Sequence, residues 1–79
     1  NIGKRSRYRV RLIHRNVPGV MARVNQIFAS SEANVDAQIL ATVDEVGYVL
    51  TDISAGLGRE ALKELSHLPE TVRLIATPL

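Results

Sequence analysis

The stretch that decides the fold is residues 7–20, which read RYRVRLIHRNVPGV. Up to His14 the side chains alternate, so that Val10 and Leu12 share one face of the chain and arginines occupy most of the other. A period of two predicts a strand with one buried face. Proline suits the first position of a helix, because its missing N–H would have no partner there. We therefore expect a strand that leads directly into a helix opening at Pro18.

The rest of the chain shows the same two periods, two for strands and three to four for helices. The elements that these patterns predict are a helix from Pro18 to about Glu32, strands over 34–43 and 46–54, a helix over 59–68 and a last strand over 71–77. The acidic pair Asp44-Glu45 is short and polar, which predicts a hairpin turn between the second and third strands.

The predicted order is strand, helix, strand, strand, helix, strand. Two right-handed crossovers place both helices on one face of a four-stranded antiparallel sheet, which is the ferredoxin-like α+β architecture. Its spatial order is second, third, first and fourth strand. In the second strand we expect Val35, Ala37, Ile39 and Ala41 to share one face. Residues 1–6 are polar and contain glycine, so we interpret them as a linker remnant preceding a single domain over 7–79.

Composition excludes several classes of protein. The chain has 79 residues, is 46% hydrophobic and contains no cysteine. It is too short for two domains and too apolar to be disordered. No apolar run approaches the length of a membrane span, and no signal peptide pattern is present, so we expect no membrane partner. Without disulfides the default location is the reducing cytoplasm.

Charge is unevenly distributed along the chain. Seven basic residues precede the first acid, Glu32, so residues 1–31 carry +7, whereas the remainder has three basic and eight acidic residues and carries −5. RNA-binding domains of this architecture stack bases on aromatics of the central strands. Only Tyr8 and Tyr48 lie there, so we expect no nucleic-acid partner.

The first strand instead presents a basic face directed away from the helices. The residues expected on or beside this open face are Arg7, Arg9, Arg11, Asp52, Arg73, Tyr48, Leu50, Leu40 and Ile75. Opposite charges on neighbouring strands are expected to pair across the sheet. We interpret the open face as a docking surface for other parts of a longer chain.

Catalysis within this chain is not expected. His14 and His67 are the only histidines, and no cluster of residues has metal-ligand spacing. His67 ends the second helix, where we expect a solvated capping role. No glycine-rich phosphate loop is present, since Gly56-x-Gly58 alone marks a loop. An acylphosphatase-like site near Arg15 lacks a glycine-rich anion cradle.

The start of the first helix is the candidate binding site. The N–H groups of Gly19, Val20 and Met21 are expected to lack helical partners, and the helix dipole favours a small anion there. Asn16 and His14 offer both donors and acceptors nearby. The alternative is that Asn16 tightens the turn and His14 closes the edge of the core.

Several motifs resemble a known family. They are His-Arg-Asn-Val-Pro-Gly-Val (14–20), Val-Asn-Gln-Ile-Phe-Ala (24–29), Asn-Val-x-x-Gln-x-Leu-x-Thr (34–42) and Gly-Tyr-Val-Leu-Thr-Asp (47–52). Together they resemble the C-terminal ACT domain of D-3-phosphoglycerate dehydrogenase. The resemblance implies a regulatory domain that binds L-serine between two copies and inhibits catalysis.

The resemblance also implies the ligands. His14 and Asn16 of one copy would bind serine together with Asn34 of the other copy. The residues that would surround the ligand are Pro18, Gly19, Val20 and Val35. A homodimer or higher oligomer is implied, as are catalytic domains in the parent chain. No cofactor is expected in this fragment, because NAD would belong to those catalytic domains.

Two residues depart from the family pattern. Glu32 stands where the family usually has the glycine that ends the first helix, so we expect this helix to end differently, with Asn34 in the turn. Asp36 replaces a small residue beside the site and could repel an anion or hold an ammonium group. Two alternatives remain open: an ACT domain that serves only assembly, and one from another amino-acid enzyme such as serine dehydratase.

Overall fold

The computed structural model describes residues 7–54 and 58–79. Its elements are β1 (Arg7–Arg15), α1 (Val20–Ser30), β2 (Asn34–Val43), β3 (Val46–Ser54), α2 (Arg59–Ser66) and β4 (Thr71–Pro78). The strands form one antiparallel sheet in the order β2-β3-β1-β4. The ferredoxin-like prediction is therefore confirmed. The predicted linker remnant 1–6 and the loop residues Gly56-Leu57 lie outside the described residues.

The core lies between the sheet and the two helices. Its buried apolar side chains are Val10, Leu12, Val20, Val24, Phe28, Val49, Ile53, Ala61 and Leu65. The β1 contribution follows the predicted alternation, and α1 contributes residues spaced four apart on one face. The periodicity of β1, β3 and the two helices therefore identified their buried faces correctly. The exceptions are β2 and the start of β4, where Val72, predicted to share a face with Leu74, is 62% exposed at a shift in the pairing with β1.

The start of α1 differs from the prediction by two residues. The helix begins at Val20, because the preceding residues form a β-turn in which the Val20 N–H donates to the Val17 carbonyl with an N···O distance of 3.4 Å. Gly19 has φ 88° and ψ −8°, the values that position three of a type II turn requires, and Pro18 occupies position two. Val17, the first residue of this turn, is 38% exposed.

The end of α1 also corrects an expectation. Glu32 has φ 61° and occupies the left-handed position that glycine usually fills. The Glu32 N–H donates to Ala29 O and the Ala33 N–H donates to Phe28 O, both at 3.1 Å, which is the Schellman hydrogen-bond pattern. The helix therefore ends in the usual way despite the missing glycine, and Asn34 lies in β2 rather than in the turn.

Replacing Glu32 with glycine is expected to stabilise the chain by about 1 kcal/mol, because a side chain at positive φ is strained and glycine is not. Glu32→Ala is the matched control, since it removes the charge but keeps the Cβ atom. Urea denaturation should show a higher midpoint for the glycine variant only. Equal midpoints for both variants would assign the effect to charge rather than to backbone conformation.

The face assignment of β2 was wrong. Val35 lies opposite Ile53 of β3 and Ala37 lies opposite Asp52, so Asp36 is an extra residue in the strand, a β-bulge. Beyond the bulge the alternation is reversed: Leu40 lies opposite buried Val49, and Ile39 lies opposite Leu50 on the open face. Leu40 therefore does not flank the open face as expected. Every residue of β2 is exposed, since β2 is an edge strand.

Charges on the open face of the sheet pair as expected. Arg9 and Asp52 lie opposite each other on β1 and β3, and the guanidinium donates through Nε to Oδ1 at 2.7 Å and through Nη2 to Oδ2 at 3.0 Å. Arg7 lies 3.9 Å from Asp36 of β2, measured from Nη2 to Oδ2. The basic first third of the sequence is thus partly neutralised by acids that are distant in sequence.

Two carboxylates that pair with arginines, Asp52 on the open face and Glu70 before β4, make the stability of the chain depend on pH. The hydrogen bond from Arg9 lowers the pKa of Asp52, and the hydrogen bond from Arg23 lowers the pKa of Glu70. Since the folded values lie below the unfolded values of about 4, both groups stabilise the fold above about pH 5, and this stabilisation is lost as the pH falls through the folded pKa values.

The urea midpoint is therefore expected to fall as the pH is lowered from about 5. Asp52→Asn should flatten this dependence, and Arg9→Met should flatten it similarly because it removes the cause of the shift. The double variant should add little to either single change, since both remove one interaction. An unchanged acid dependence in all three variants would contradict the assignment.

Candidate functional site

The loop between β1 and α1 is exposed but held in place at both sides. The Asn16 N–H donates to Glu45 O in the β2–β3 hairpin turn, and the Arg15 N–H donates to Glu70 O before β4, both at 2.8 Å. Asn16, Pro18 and Gly19 are exposed. The loop thus offers accessible polar groups at a fixed position beside the end of β2.

Donor groups remain at the start of α1. Of the three N–H groups predicted to be free, that of Val20 is used in the turn, whereas no backbone partner of the Gly19 or Met21 N–H is found among residues 7–54 and 58–79. The Val20 side chain is buried in the core. This helix start can therefore contribute backbone donors, favoured by the dipole, to an anionic group.

His14 is more deeply buried than its predicted role as a ligand suggests. It is 2% exposed, and Nδ1 lies 2.9 Å from the Arg15 carbonyl oxygen. A carbonyl only accepts, so Nδ1 donates this hydrogen bond; in the neutral tautomer with the proton on Nδ1, Nε2 is an acceptor. Nε2 is buried and has no partner in the described part of the chain. A direct contact between His14 and a ligand requires the ring to move from this position.

Gly47 explains how His14 fits beneath the helix layer. It lies opposite His14 in the pairing of β1 with β3, and a Cβ atom at this position would overlap the imidazole ring. The sequence motif contained Gly47, but its role was missed because the contact joins two strands. The sequence signal was a glycine inside a predicted strand, which often marks a place where another group approaches the backbone closely.

Asn34 lies in a small hydrogen-bonded network at the start of β2. Its Nδ2 donates to Asp36 Oδ1 and to Ser54 Oγ, both at 3.0 Å, and Ser54 Oγ donates to Asp36 Oδ1 at 3.1 Å. Ser54 was not predicted to take part. Val35, which follows Asn34, is 41% exposed and lies opposite Ile53.

The predicted ligands lie at opposite ends of the sheet within one chain. His14 is at the end of β1 that pairs with Gly47, whereas Asn34 pairs with Ser54, which in turn lies opposite Arg7 at the other end of β1. Seven residues of extended chain separate the two ends, or about 23 Å. One copy therefore brings His14 and Asn16 together and leaves Asn34 apart from them.

Two grooves and His67 lie outside the loop between β1 and α1. A groove of about 330 Å³ is lined by Ala22, Arg23, Gln26, Ile27 and Leu68, and a smaller one lies between α1 and α2. His67 is exposed at the end of α2, as predicted. In residues 7–54 and 58–79, no group of three His, Asp or Glu residues could hold a metal ion. Within the same ranges, no helix is both long and apolar enough to cross a membrane.

Sequence comparison identifies the family. Residues 10–73 match the family model described as "AHAS small subunit-like ACT domain". The chain therefore belongs to the ACT-domain family, as the resemblance implied. This agrees with the solved ACT domain from the GTP pyrophosphokinase of Chlorobium tepidum, which has a TM-score of 0.79 at 9% identity and covers 92% of this chain and 99% of its own.

The chain is also similar in sequence to curated D-3-phosphoglycerate dehydrogenases. The chain is 38% identical over 68 residues to the D-3-phosphoglycerate dehydrogenase of Dictyostelium discoideum, which covers 86% of this chain and 16% of the relative. It is 41% identical over 63 residues to the D-3-phosphoglycerate dehydrogenase of Escherichia coli strain K12. That alignment covers 77% of this chain and 15% of the relative. The chain thus spans about one sixth of the length of these relatives.

Proposed function

We propose that this ACT domain regulates a D-3-phosphoglycerate dehydrogenase by binding L-serine, the end product of the pathway, between two copies of the chain. The observation that carries the proposal is that a single copy separates the predicted ligands by about 23 Å along the sheet. A site that uses His14, Asn16 and Asn34 together therefore needs a second copy.

The edge strand β2 is the surface proposed to form the dimer. It has unpaired backbone groups and exposed apolar side chains, among them Ile39 at 61% and Val43 at 70%. In a two-fold pair that continues the sheet, the two β2 strands are antiparallel, so the start of one lies beside the end of the other. Asn34 of the second copy then approaches the hairpin turn that contacts Asn16.

The chemistry of the residues suits a zwitterionic amino acid. The N–H groups at the start of α1 and the Asn16 amide can donate to a carboxylate. The bare Nε2 of His14 can accept from a hydroxyl or ammonium group once the ring is accessible. These groups recognise the ligand without a buried formal charge, which would be costly to desolvate.

A shared site also explains how binding could regulate the enzyme. Serine would stabilise one arrangement of the two ACT domains over another, and coupling of about 1–3 kcal/mol is typical of allosteric proteins. The parent chain would supply the NAD-dependent catalytic domains, in the cytoplasm, and the open face of the sheet would dock against them.

Titration calorimetry of the chain with L-serine tests the proposal. Asn16→Ala and Asn34→Ala are each expected to weaken binding about tenfold or more, because each removes hydrogen bonds to a charged ligand. Gln26→Ala is the matched control, since Gln26 is an exposed amide on α1 that donates to Ser30 of the same helix. No heat and no stabilisation with millimolar serine would contradict the serine proposal.

Mixing the two variants tests the shared site. A heterodimer of Asn16→Ala with Asn34→Ala chains has one site that carries both changes and one intact site, so the mixture should regain part of the serine binding. Sedimentation should show a dimer. A site contained within one chain would gain nothing from mixing, and a monomer at all concentrations would exclude the dimer.

A second candidate is the ACT domain of another amino-acid enzyme. It is favoured by the description of the matching family model, which refers to the AHAS small subunit rather than to a dehydrogenase. Thermal shifts with each of the twenty L-amino acids separate the two candidates. The largest shift should be with serine if the dehydrogenase proposal is correct.

A further inference from the structure

Asn34, Asp36 and Ser54 form a closed triangle of hydrogen bonds at the start of β2. The two donor–acceptor distances from the Asn34 amide are both 3.0 Å. Asp36 is the bulge residue, so it has no opposite residue in β3, and its side chain is 30% exposed. The triangle therefore lies at the accessible edge of the sheet.

The triangle determines which way the Asn34 amide faces. A carboxylate only accepts hydrogen bonds, so the group beside Asp36 must be the Asn34 NH₂ and not its carbonyl. The two hydrogens of that NH₂ are both used, one on Asp36 and one on Ser54. Asn34 therefore has only its Oδ1 acceptor left for a ligand, with a negative charge two residues away.

We propose that Asp36 is a positioning residue that makes the Asn34 half of the binding site specific for the ammonium group of an amino acid. This inference rests on the proposed function. An acceptor beside a carboxylate attracts a cation and repels an anion. The ligand is then oriented with its ammonium group at Asn34 of one copy and its carboxylate at the α1 start of the other.

The proposal gives a role to the departure from the family pattern at position 36. A small side chain there would leave the Asn34 amide free to rotate and to donate to a carboxylate. Asp36 removes that freedom. Arg7 lies 3.9 Å from Asp36 and partly balances its negative charge. Because the Arg7 side chain is 58% exposed, solvent weakens this ion pair.

The test compares two ligands that differ at one group, L-serine and L-glycerate, in which a hydroxyl replaces the ammonium. Asp36→Ala should weaken L-serine binding about tenfold and leave L-glycerate binding no weaker, so the preference for serine falls. Asp36→Asn keeps an acceptor for the Asn34 NH₂ and should recover part of the loss. Glu64→Gln, at an exposed position of α2, is the control and should retain the wild-type preference for L-serine over L-glycerate.

Each outcome has a distinct meaning. If the unchanged chain binds no serine, the proposed function fails and this inference fails with it. If the chain binds serine but Asp36→Ala leaves the serine-to-glycerate preference unchanged, only the inference is overturned. Equal weakening of both ligands would also overturn it, because a residue that merely supports the fold would act on both alike. Circular dichroism checks that each variant is folded.

Discussion

Leu65→Ala is expected to destabilise the chain by about 4 kcal/mol, because it removes a large, fully buried side chain and leaves a cavity in the core. Leu65 is 0% exposed and anchors α2 against the core formed with α1 and the sheet. A chain of 79 residues has a total stability of about 4–12 kcal/mol. The variant should therefore lose between about a third and nearly all of the stability of the fold.

Leu79→Ala is the matched control, since the same atoms are removed from a residue that is 60% exposed. Its free energy of unfolding should change by no more than about 0.5 kcal/mol. Urea denaturation followed by circular dichroism measures both. Similar losses for the two variants would show that the helix α2 does not depend on this buried contact.

Gly47→Ala is expected to destabilise the chain by about 3 kcal/mol, at the upper end of overpacking effects. The added Cβ atom would overlap the buried His14 ring, so the ring or the paired strands β1 and β3 would have to shift. Gly58→Ala is the control, because a Cβ atom there meets nothing within 4 Å. Because Gly58 is the N-cap of α2, where glycine is preferred to alanine, this variant should lose no more than about 1 kcal/mol.

A double-mutant cycle identifies the cause. In Gly47→Ala combined with His14→Ala, the ring that the Cβ atom meets is gone, so the double variant should be less destabilised than the sum of the two single variants. Additive effects would mean that Gly47 acts through its backbone conformation rather than through contact with His14.

Most of the fold could be predicted because it depends on short-range patterns. The alternation of β1 and the helical spacing of α1 depend on residues within a few positions of one another. The failure in β2 has a physical reason. A single bulge at Asp36 reverses every later side chain, and nothing in an alternating sequence marks where the extra residue lies.

The candidate site was predicted only in part. Asn16 was correctly placed between the first strand and the helix, and the predicted strand 34–43 correctly begins at Asn34. Pro18 and Gly19 were wrongly placed in the helix, since they form the turn before it. The burial of His14 agrees with the alternation of β1 and with the alternative that His14 closes the edge of the core. The close fit of its ring against Gly47 and the triangle around Asn34 could not be predicted, since both depend on residues brought together by strand pairing. The roles of His14, Asn16 and Asn34 in ligand binding stay predictions.

The sequence by itself determined the order of elements, the faces of β1, β3 and the helices, and the ACT family. These follow from local periodicity, turn chemistry and motifs, which involve neighbouring residues. Only the tertiary structure decided that Glu32 accepts a left-handed conformation, that Gly47 makes room for His14 and that Asp36 orients Asn34. The reason is that the space, the partners and the backbone strain at these positions are set by packing and strand register.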